Sequence, residues 1–274
     1  MDIAGAGILL TGASSGIGAV TATTLAGKGA RLVLVARRKE LLEDVAAQCV
    51  AAGGPEPTVV VADLADLDTA ERVALEADDA LGGTDVLINN AGVPKRRHIK
   101  DLTFDTVTSI MNINYFSPVR ITMALLPRMI ERGHGRIVMM GSLAGRIGAP
   151  REAAYAGSKF ALAGWTESVA VDLDGTGVSI CTIAPAAIES PIWDPDLADN
   201  ERSLFNGELL PTQTVADCVV DLIENGGFER FVPADMAQVI AAKHQDVDRF
   251  IKGNIAFVRM RVAEGADEQP AGRT

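Results

Sequence analysis

Tyr155-Ala156-Gly157-Ser158-Lys159 sets a phenol and an ammonium four residues apart, within a stretch from Ala153 to Val171 whose spacing predicts helix. That separation puts both groups on one helix face, about one turn apart. An unperturbed tyrosine has a pKa of about 10, poorly matched to proton exchange at neutral pH. A neighbouring cation favours phenolate, so Lys159 is expected to make Tyr155 a usable acid/base. Such pairs also arise by chance on helices, so the pair needs company. Ser142 follows the strand-like run Arg136–Met140 and offers a hydroxyl to a substrate oxygen. Asn114 lies in a helical segment, Asp105 to Arg132, with no obvious apolar-face role and a proline four residues on at Pro118.

A second set of residues could hold phosphate. Thr11-Gly12-Ala13-Ser14-Ser15-Gly16-Ile17-Gly18 joins a strand to a helix, Ala19 to Gly27. Glycines there let a turn tighten and let backbone amides approach a pyrophosphate at the helix N-terminus. A side chain at Gly16 or Gly18 is expected to stand between helix and phosphate; the plainer reading is a tight β-to-α turn. Gly5 and Gly7 precede the strand, at its wrong end. The second strand ends in Val35-Ala36-Arg37-Arg38, where an acidic residue would bond ribose hydroxyls. Arg37 or Arg38 can instead fork onto a 2′-phosphate, which predicts NADP(H) over NAD(H). An exposed basic pair opening a helix, with Glu40 beside it, is the alternative. Asp63-Leu64 and Asn89-Asn90-Ala91-Gly92 end the third and fourth strand-like runs. Both could meet a cofactor or serve only as turns.

The elements that must position these residues alternate. Ile8–Thr11, Arg31–Val35, Val59–Val61, Asp85–Ile88, Arg136–Met140 and Val178–Ile183 are short and nearly all apolar, with a possible seventh run at Phe231-Val232. Such runs suit strands covered by helices on both faces. β-α-β-α order predicts an α/β, doubly wound parallel sheet of six to seven strands, with its crevice at the strands' carboxyl ends. Glycine loop, Ser142 and Tyr155/Lys159 would then meet at one sheet edge. One domain, residues 1–263, is expected. It includes an irregular lid over about 186–211, an added C-terminal helix over about 234–262, and a flexible tail at 264–274.

Composition narrows the function classes. The 274 residues are 48% hydrophobic and 22% charged, which excludes a disordered or fibrous chain. The net charge of −11 and 4% aromatic content argue against nucleic-acid partners. No apolar run reaches the length of a membrane span, about 20 residues. Met1-Asp2-Ile3 lacks the basic start of a secretory signal. Cys49, Cys181 and Cys218 have neither disulfide nor zinc spacing and read as reduced thiols of a cytoplasmic protein. His98, His134 and His244 show no metal-ligand spacing, so no metal is expected.

T-G-A-S-S-G-I-G, N-N-A-G, the Asn of I-N-Y-F-S, the Ser of G-S-L-A-G and Y-A-G-S-K together resemble the short-chain dehydrogenase/reductases, in order and spacing, over roughly residues 3 to 192. The resemblance implies a catalytic tetrad of Asn114, Ser142, Tyr155 and Lys159. Tyr155 would exchange the proton, Ser142 orient the substrate oxygen, Lys159 lower the phenol pKa and bond the nicotinamide ribose, and Asn114 hold a water. It also implies cofactor contacts from Gly12, Ser14, Ser15, Gly16, Ile17, Gly18, Asp63, Leu64, Asn90, Ala91 and Gly92, besides Pro185 and Ile188. Two departures matter. Pro185-Ala186 replaces the family's usual Pro-Gly, with Ser190 for a common Thr. The C-terminus lacks the Asp-Gly-Gly segment of many tetrameric relatives. A homodimer through the helices bearing Asn114 and Tyr155 is therefore expected, with Ala154, Ala161 and Trp165 permitting close approach; a tetramer stays possible.

These readings converge on an NADP(H)-dependent oxidoreductase interconverting a secondary alcohol and a ketone or aldehyde. Ile192, Trp193, Leu197, Leu204, Phe205, Leu209 and Leu210 of the lid would line a pocket for an apolar substrate, or merely pack on the core. A non-catalytic dinucleotide-binding sensor is the alternative function; an epimerase or dehydratase would need a larger substrate domain. Lys95-Arg96-Arg97-His98-Ile99-Lys100 is either a solvated loop or a dock for an anionic handle. The basic residues of the last helix suit packing on the body or a partner, and less readily a membrane surface.

Overall fold

A computed structural model describes residues 1–193, 201, 203–205 and 207–266. Seven strands pair in parallel: β1 (Gly7–Thr11), β2 (Arg31–Ala36), β3 (Thr58–Val61), β4 (Val86–Asn89), β5 (Gly135–Met140), β6 (Val178–Pro185) and β7 (Glu229–Val232). Their spatial order is β3-β2-β1-β4-β5-β6-β7. Alternate residues of each strand feed two cores, as the two-residue period of a strand requires. Ile8, Leu10, Leu34, Ile88, Val138 and Ile183 face one side, and Leu9, Val33, Leu87, Ile137 and Met139 the other. The first core is closed by α1 (Gly16–Gly27), α2 (Lys39–Ala51) and α7 (Thr212–Asn225). The second is closed by α3 (Leu67–Leu81), α5 (Ser117–Arg132) and α6 (Ala153–Asp172). Both faces being covered explains why the strands are continuous apolar runs.

β1 pairs with β2 on one side, Leu9 opposite Val33, and with β4 on the other, Leu9 opposite Leu87. Chain connections leave β1 and β4 in opposite directions, so the crevice opens beyond their carboxyl ends. The residues singled out for phosphate binding and for proton exchange lie on the loops and helices at that edge.

Two long helices foreseen from periodicity are each broken. The segment Asp105–Arg132 comprises α4 (Phe104–Met111), a π turn at Asn112–Phe116 and α5. Pro118 cannot donate to the carbonyl of Asn114, four residues back, and a widened turn accommodates that loss. The helix placed at 234–262 is two, α8 (Met236–Gln245) and α9 (Val247–Ala263). Asp246 separates them with an extended backbone, and its carboxylate accepts from Arg249 N at 2.9 Å, capping the second helix.

The segment 186–211 is irregular, as expected, with a short 3₁₀ turn at Pro191–Trp193 and an isolated bridge from Ile188 to Leu210. Leu197 and residues 267–274 of the expected tail lie outside the described residues, and 264–266 form a turn. Ala154 is buried within the chain. No described helix is long and apolar enough to cross a membrane.

Candidate active site

The loop between β1 and α1 turns on Gly12, whose φ of +66° favours glycine. A Cβ there would lie 2.7 Å from Ala91 Cα, in the loop after β4. At Gly18 a Cβ would meet Gly12 O at 2.2 Å. Gly18 therefore keeps the turn closed on itself, a constraint besides the one foreseen for it. Gly16 combines a φ of +55° with a Cβ approach of 3.0 Å to Ser190, so it too accommodates protein.

Asn90 joins the two loops at the sheet's switch point. Its Nδ2 donates to Thr11 O at 3.0 Å and Gly12 O at 3.1 Å, while Thr11 Oγ1 accepts from Asn90 N and Ala91 N. Asn89, one residue earlier, donates inward to Thr122 Oγ1 at 3.1 Å. Thr11 was not singled out from sequence; a threonine ending a strand carries no local signal of that task.

At the start of α1, Ser15 makes no side-chain cap and the first turn carries no acidic residue. Its amides therefore lack a competing carboxylate. Arg38 donates to Ser14 Oγ at 3.1 Å and Ser15 Oγ at 2.7 Å, which adds positive charge to the same place. This arrangement fits a phosphate: open amides at a helix N-terminus, a cationic fork and a glycine turn.

Lys159, on α6, is 4% exposed and its Nζ donates to Met140 O at 2.8 Å, where β5 ends. Burial holds the ammonium down at about 8. Tyr155 sits one turn before it, with Nζ 5.8 Å from the ring centroid. The ring keeps some contact with the cavity, yet the surrounding protein desolvates the phenol and pushes it up to about 12, against a hydrogen bond with the Ser142 hydroxyl. The expected lowering of the phenol by Lys159 is thus not met by this pair: desolvation outweighs an ammonium whose hydrogen bond is directed at a backbone carbonyl. Ser142 Oγ also accepts from Ala144 N at 3.1 Å.

Asn114 is fully buried in the π turn. Its Nδ2 donates to Val93 O at 2.9 Å and Ser158 Oγ at 3.1 Å, and its Oδ1 accepts from Val93 N at 2.8 Å. Ser158 in turn donates to Tyr155 O at 2.7 Å. The Asn114 side chain therefore clamps the loop after β4 against α6. A side chain at Gly92 would intrude between them, its Cβ 3.3 Å from Asn114 Oδ1 and 3.7 Å from Lys159 Nζ.

One cavity of about 920 Å³ gathers nearly all of the expected residues. Its lining includes Gly12, Ser14 to Gly18, Arg37, Arg38, Asp63, Leu64, Asn90 to Gly92, Ser142, Tyr155, Lys159, Pro185 and Ile188. Trp193, Leu204 and Phe205 form an apolar wall. Asn114 stands behind Gly92, outside the lining. Leu209 and Leu210 do not reach the cavity, whereas Pro94, Met236 and Phe257 do and were not foreseen. Among the described residues no cluster suits a metal ion.

An α/β crevice of this kind, with a glycine turn at one end and a tyrosine–lysine pair at the other, has recognisable relatives. The family model for short chain dehydrogenases matches residues 6–201, and the chain belongs to the short-chain dehydrogenase/reductase family. A protein named ketoacyl reductase HetN, from a Nostoc species, is 34% identical over 81% of this chain and 77% of its own length. The chain spans 65% and 58% of the first curated relatives it matches. A Sphingobium yanoikuyae short-chain dehydrogenase solved with NADPH superposes with a TM-score of 0.77, at 25% identity and 97% coverage of both chains. One from Burkholderia phymatum solved with NAD reaches 0.81 at 24% identity, covering 90% of this chain and 96% of its own, a likeness of fold.

The buried ammonium has a testable cost. Lys159 in the folded chain releases its proton near pH 8, while the unfolded lysine holds it up to its ordinary 10.5. Stability attributable to this group therefore rises with pH across that window, and at pH 7 charging the buried amine costs up to about 3 kcal/mol. Replacement by a neutral isostere relieves that cost and gives up one hydrogen bond. Lys159→Met is expected to be inactive yet to melt at or above the parent temperature at pH 7; a clearly lower Tm by calorimetry contradicts this.

Proposed function

We propose that the chain is an NADP(H)-dependent oxidoreductase that interconverts an apolar secondary alcohol and its ketone or aldehyde. The observation that carries this reading is that Tyr155, Ser142 and Lys159 line one crevice, Lys159 one turn behind the phenol, while the other end of that crevice can take a phosphate. When bound, the dinucleotide supplies or accepts the hydride. The α1 amides and Arg38 hold its phosphates, and Lys159 holds the ribose beside the nicotinamide.

In the reducing direction Ser142 orients the carbonyl oxygen and Tyr155 donates its proton to it. A phenol held near 12 is neutral at pH 7 and so carries the proton to be given, although it gives it less readily than an unperturbed tyrosine. The Lys159 ammonium, one helix turn away, is the chain's own proton source for restoring the phenol. The side chain of Asn114 is committed to Val93 and Ser158, so its backbone carbonyl, which Pro118 cannot bond, is the group that receives a water. Oxidation runs the same steps backward. Trp193, Leu204 and Phe205 favour a bulky apolar substrate over a short polar one.

Selectivity for the 2′-phosphate rests on Arg37 and Arg38, which line the cavity where β2 ends, with no acidic side chain on that strand end. The protein is proposed to be a homodimer through α5 and α6, which present Met123, Ile130, Phe160 and Val171 to solvent, with Phe116 exposed in the π turn before α5. Its three free cysteines, two of them buried, suit the reducing cytoplasm.

Turnover is read from nicotinamide absorbance across a carbonyl panel. Tyr155→Phe is expected to lower kcat by about 10²- to 10⁴-fold with cofactor affinity unchanged. Parent-like turnover in that variant, or cofactor binding with no turnover of any compound by the parent, favours the sensor reading instead. Arg37→Asp is expected to cut the NADP(H)-over-NAD(H) efficiency ratio by about tenfold or more, the worth of one charged hydrogen bond. An unchanged ratio in both Arg37→Asp and Arg38→Asp removes the selectivity assignment.

A further inference from the structure

The basic cluster Lys95–Lys100 contains a residue that neither expectation for it covers. Arg96 is 4% exposed, neither solvated nor open to an anion. Its Nε donates to Glu152 Oε1 at 2.6 Å. Its guanidinium carbon stands 4.4 Å from the centroid of the Trp193 ring, and Nη1 donates to Ile192 O at 3.3 Å. One side chain thus ties together three segments distant in sequence: the loop after β4, the residue preceding α6, and the turn after β6. Trp193 is held from its other side, where Nε1 donates to Ile188 O at 2.6 Å and the Phe205 ring lies 5.8 Å away. Arg96, Glu152, Trp193 and Tyr155 all line the same cavity, and Glu152 precedes Tyr155 by three residues.

Stability is a weak reason for such a pair. Desolvating two charges costs about as much as their attraction returns, and apolar side chains of similar size would fill the space at least as well. Geometry supplies a better reason. A planar guanidinium can meet a carboxylate through its edge while stacking an indole on its face, which a lysine cannot do.

We propose that Arg96 and Glu152 form a positioning pair that fixes the Trp193 wall at a set distance from Tyr155 and thereby decides how bulky a carbonyl compound the cavity accepts. This deepens the reading of Tyr155 as the proton-exchanging group, and rests on it. The charged groups facing the phenol are Lys159 from its own helix, Glu152 just before that helix, and Arg96 from the loop. Removing Arg96 leaves the Glu152 carboxylate unneutralised beside the phenol and moves its titration upward. Neutralising Glu152 moves it downward.

A Trp165→Phe background leaves Trp193 as the sole indole, since the chain has two tryptophans. In that protein Arg96→Met is expected to raise acrylamide quenching of Trp193 and to raise KM for a bulky apolar ketone by about tenfold. It should alter kcat less and leave cofactor affinity within about twofold. Arg96→Lys should not rescue the wall. Glu152→Gln, similar in size but uncharged, weakens the hold on Arg96, shifts the rising limb of alcohol oxidation to lower pH, and is expected to raise quenching and KM in the same direction should Arg96→Met fail to fold. In Arg96→Met/Glu152→Gln the KM effect should fall well short of the product of the single effects. Parent-like quenching and KM in both single variants, or effects that simply multiply, overturn the pair. Should Tyr155→Phe keep its turnover, the catalytic reading falls, while Trp193 quenching and the KM split still decide the role of Arg96.

Discussion

Lys159 keeps an ammonium inside the protein one turn from Tyr155, and the elements around it can each be understood by how they meet that demand. The last carbonyl of β5, at Met140, accepts its hydrogen bond. Gly92 has no side chain to fill the space in front of it, and Asn114 holds the loop bearing Gly92 in place. A charge so placed disfavours the folded state at neutral pH, which is tolerable only in a protein whose two large apolar cores outweigh it. The role proposed for this residue and the stability of the fold are thus opposed.

The sheet's order turns that local arrangement into a site. Because β1 is flanked by β2 and β4, the glycine turn and the Asn90–Gly92 loop meet, and Asn90 stitches them with two hydrogen bonds to the β1 end. β5 and β6 then deliver Ser142 and Pro185 to the same edge. The crevice so formed spans from Arg37 and Arg38 at one end to an aromatic wall at the other. Polarity changes along its length, from a cationic, amide-lined floor suited to phosphate to apolar side chains suited to a hydrocarbon.

Much of this was legible in the sequence. Central strands buried on both faces write themselves as unbroken apolar runs, and the two edge strands were legible from shorter cores, Val59–Val61 in β3 and Phe231-Val232 in β7. The strand-end residues of the cavity were readable too, because short loops at the ends of parallel strands cannot go elsewhere, whereas Met236 and Phe257 reach it from the C-terminal helices and gave no such signal. The π turn at Asn114 was not, since it shares the helix's hydrophobic pattern; Pro118 was its only mark. Nor was the break at Asp246, although an aspartate ahead of Val247 was available as a cap signal. Arg96 was the larger miss. A basic cluster reads as solvated, and the carboxylate that buries it lies 56 residues away at Glu152. The raised phenol pKa was equally hidden, because desolvation depends on how the whole chain closes around the ring.

The central claim is that Tyr155 passes a proton while hydride moves between cofactor and a carbonyl carbon in this cavity. Incubation with NADPH deuterated at the transferable C4 position and an apolar ketone, followed by mass spectrometry of the alcohol, examines it most directly. The account predicts alcohol one mass unit heavier, with the label on the carbinol carbon, and almost none from Tyr155→Phe. Unlabelled alcohol from the parent protein, or full label from Tyr155→Phe at the parent rate, would contradict it.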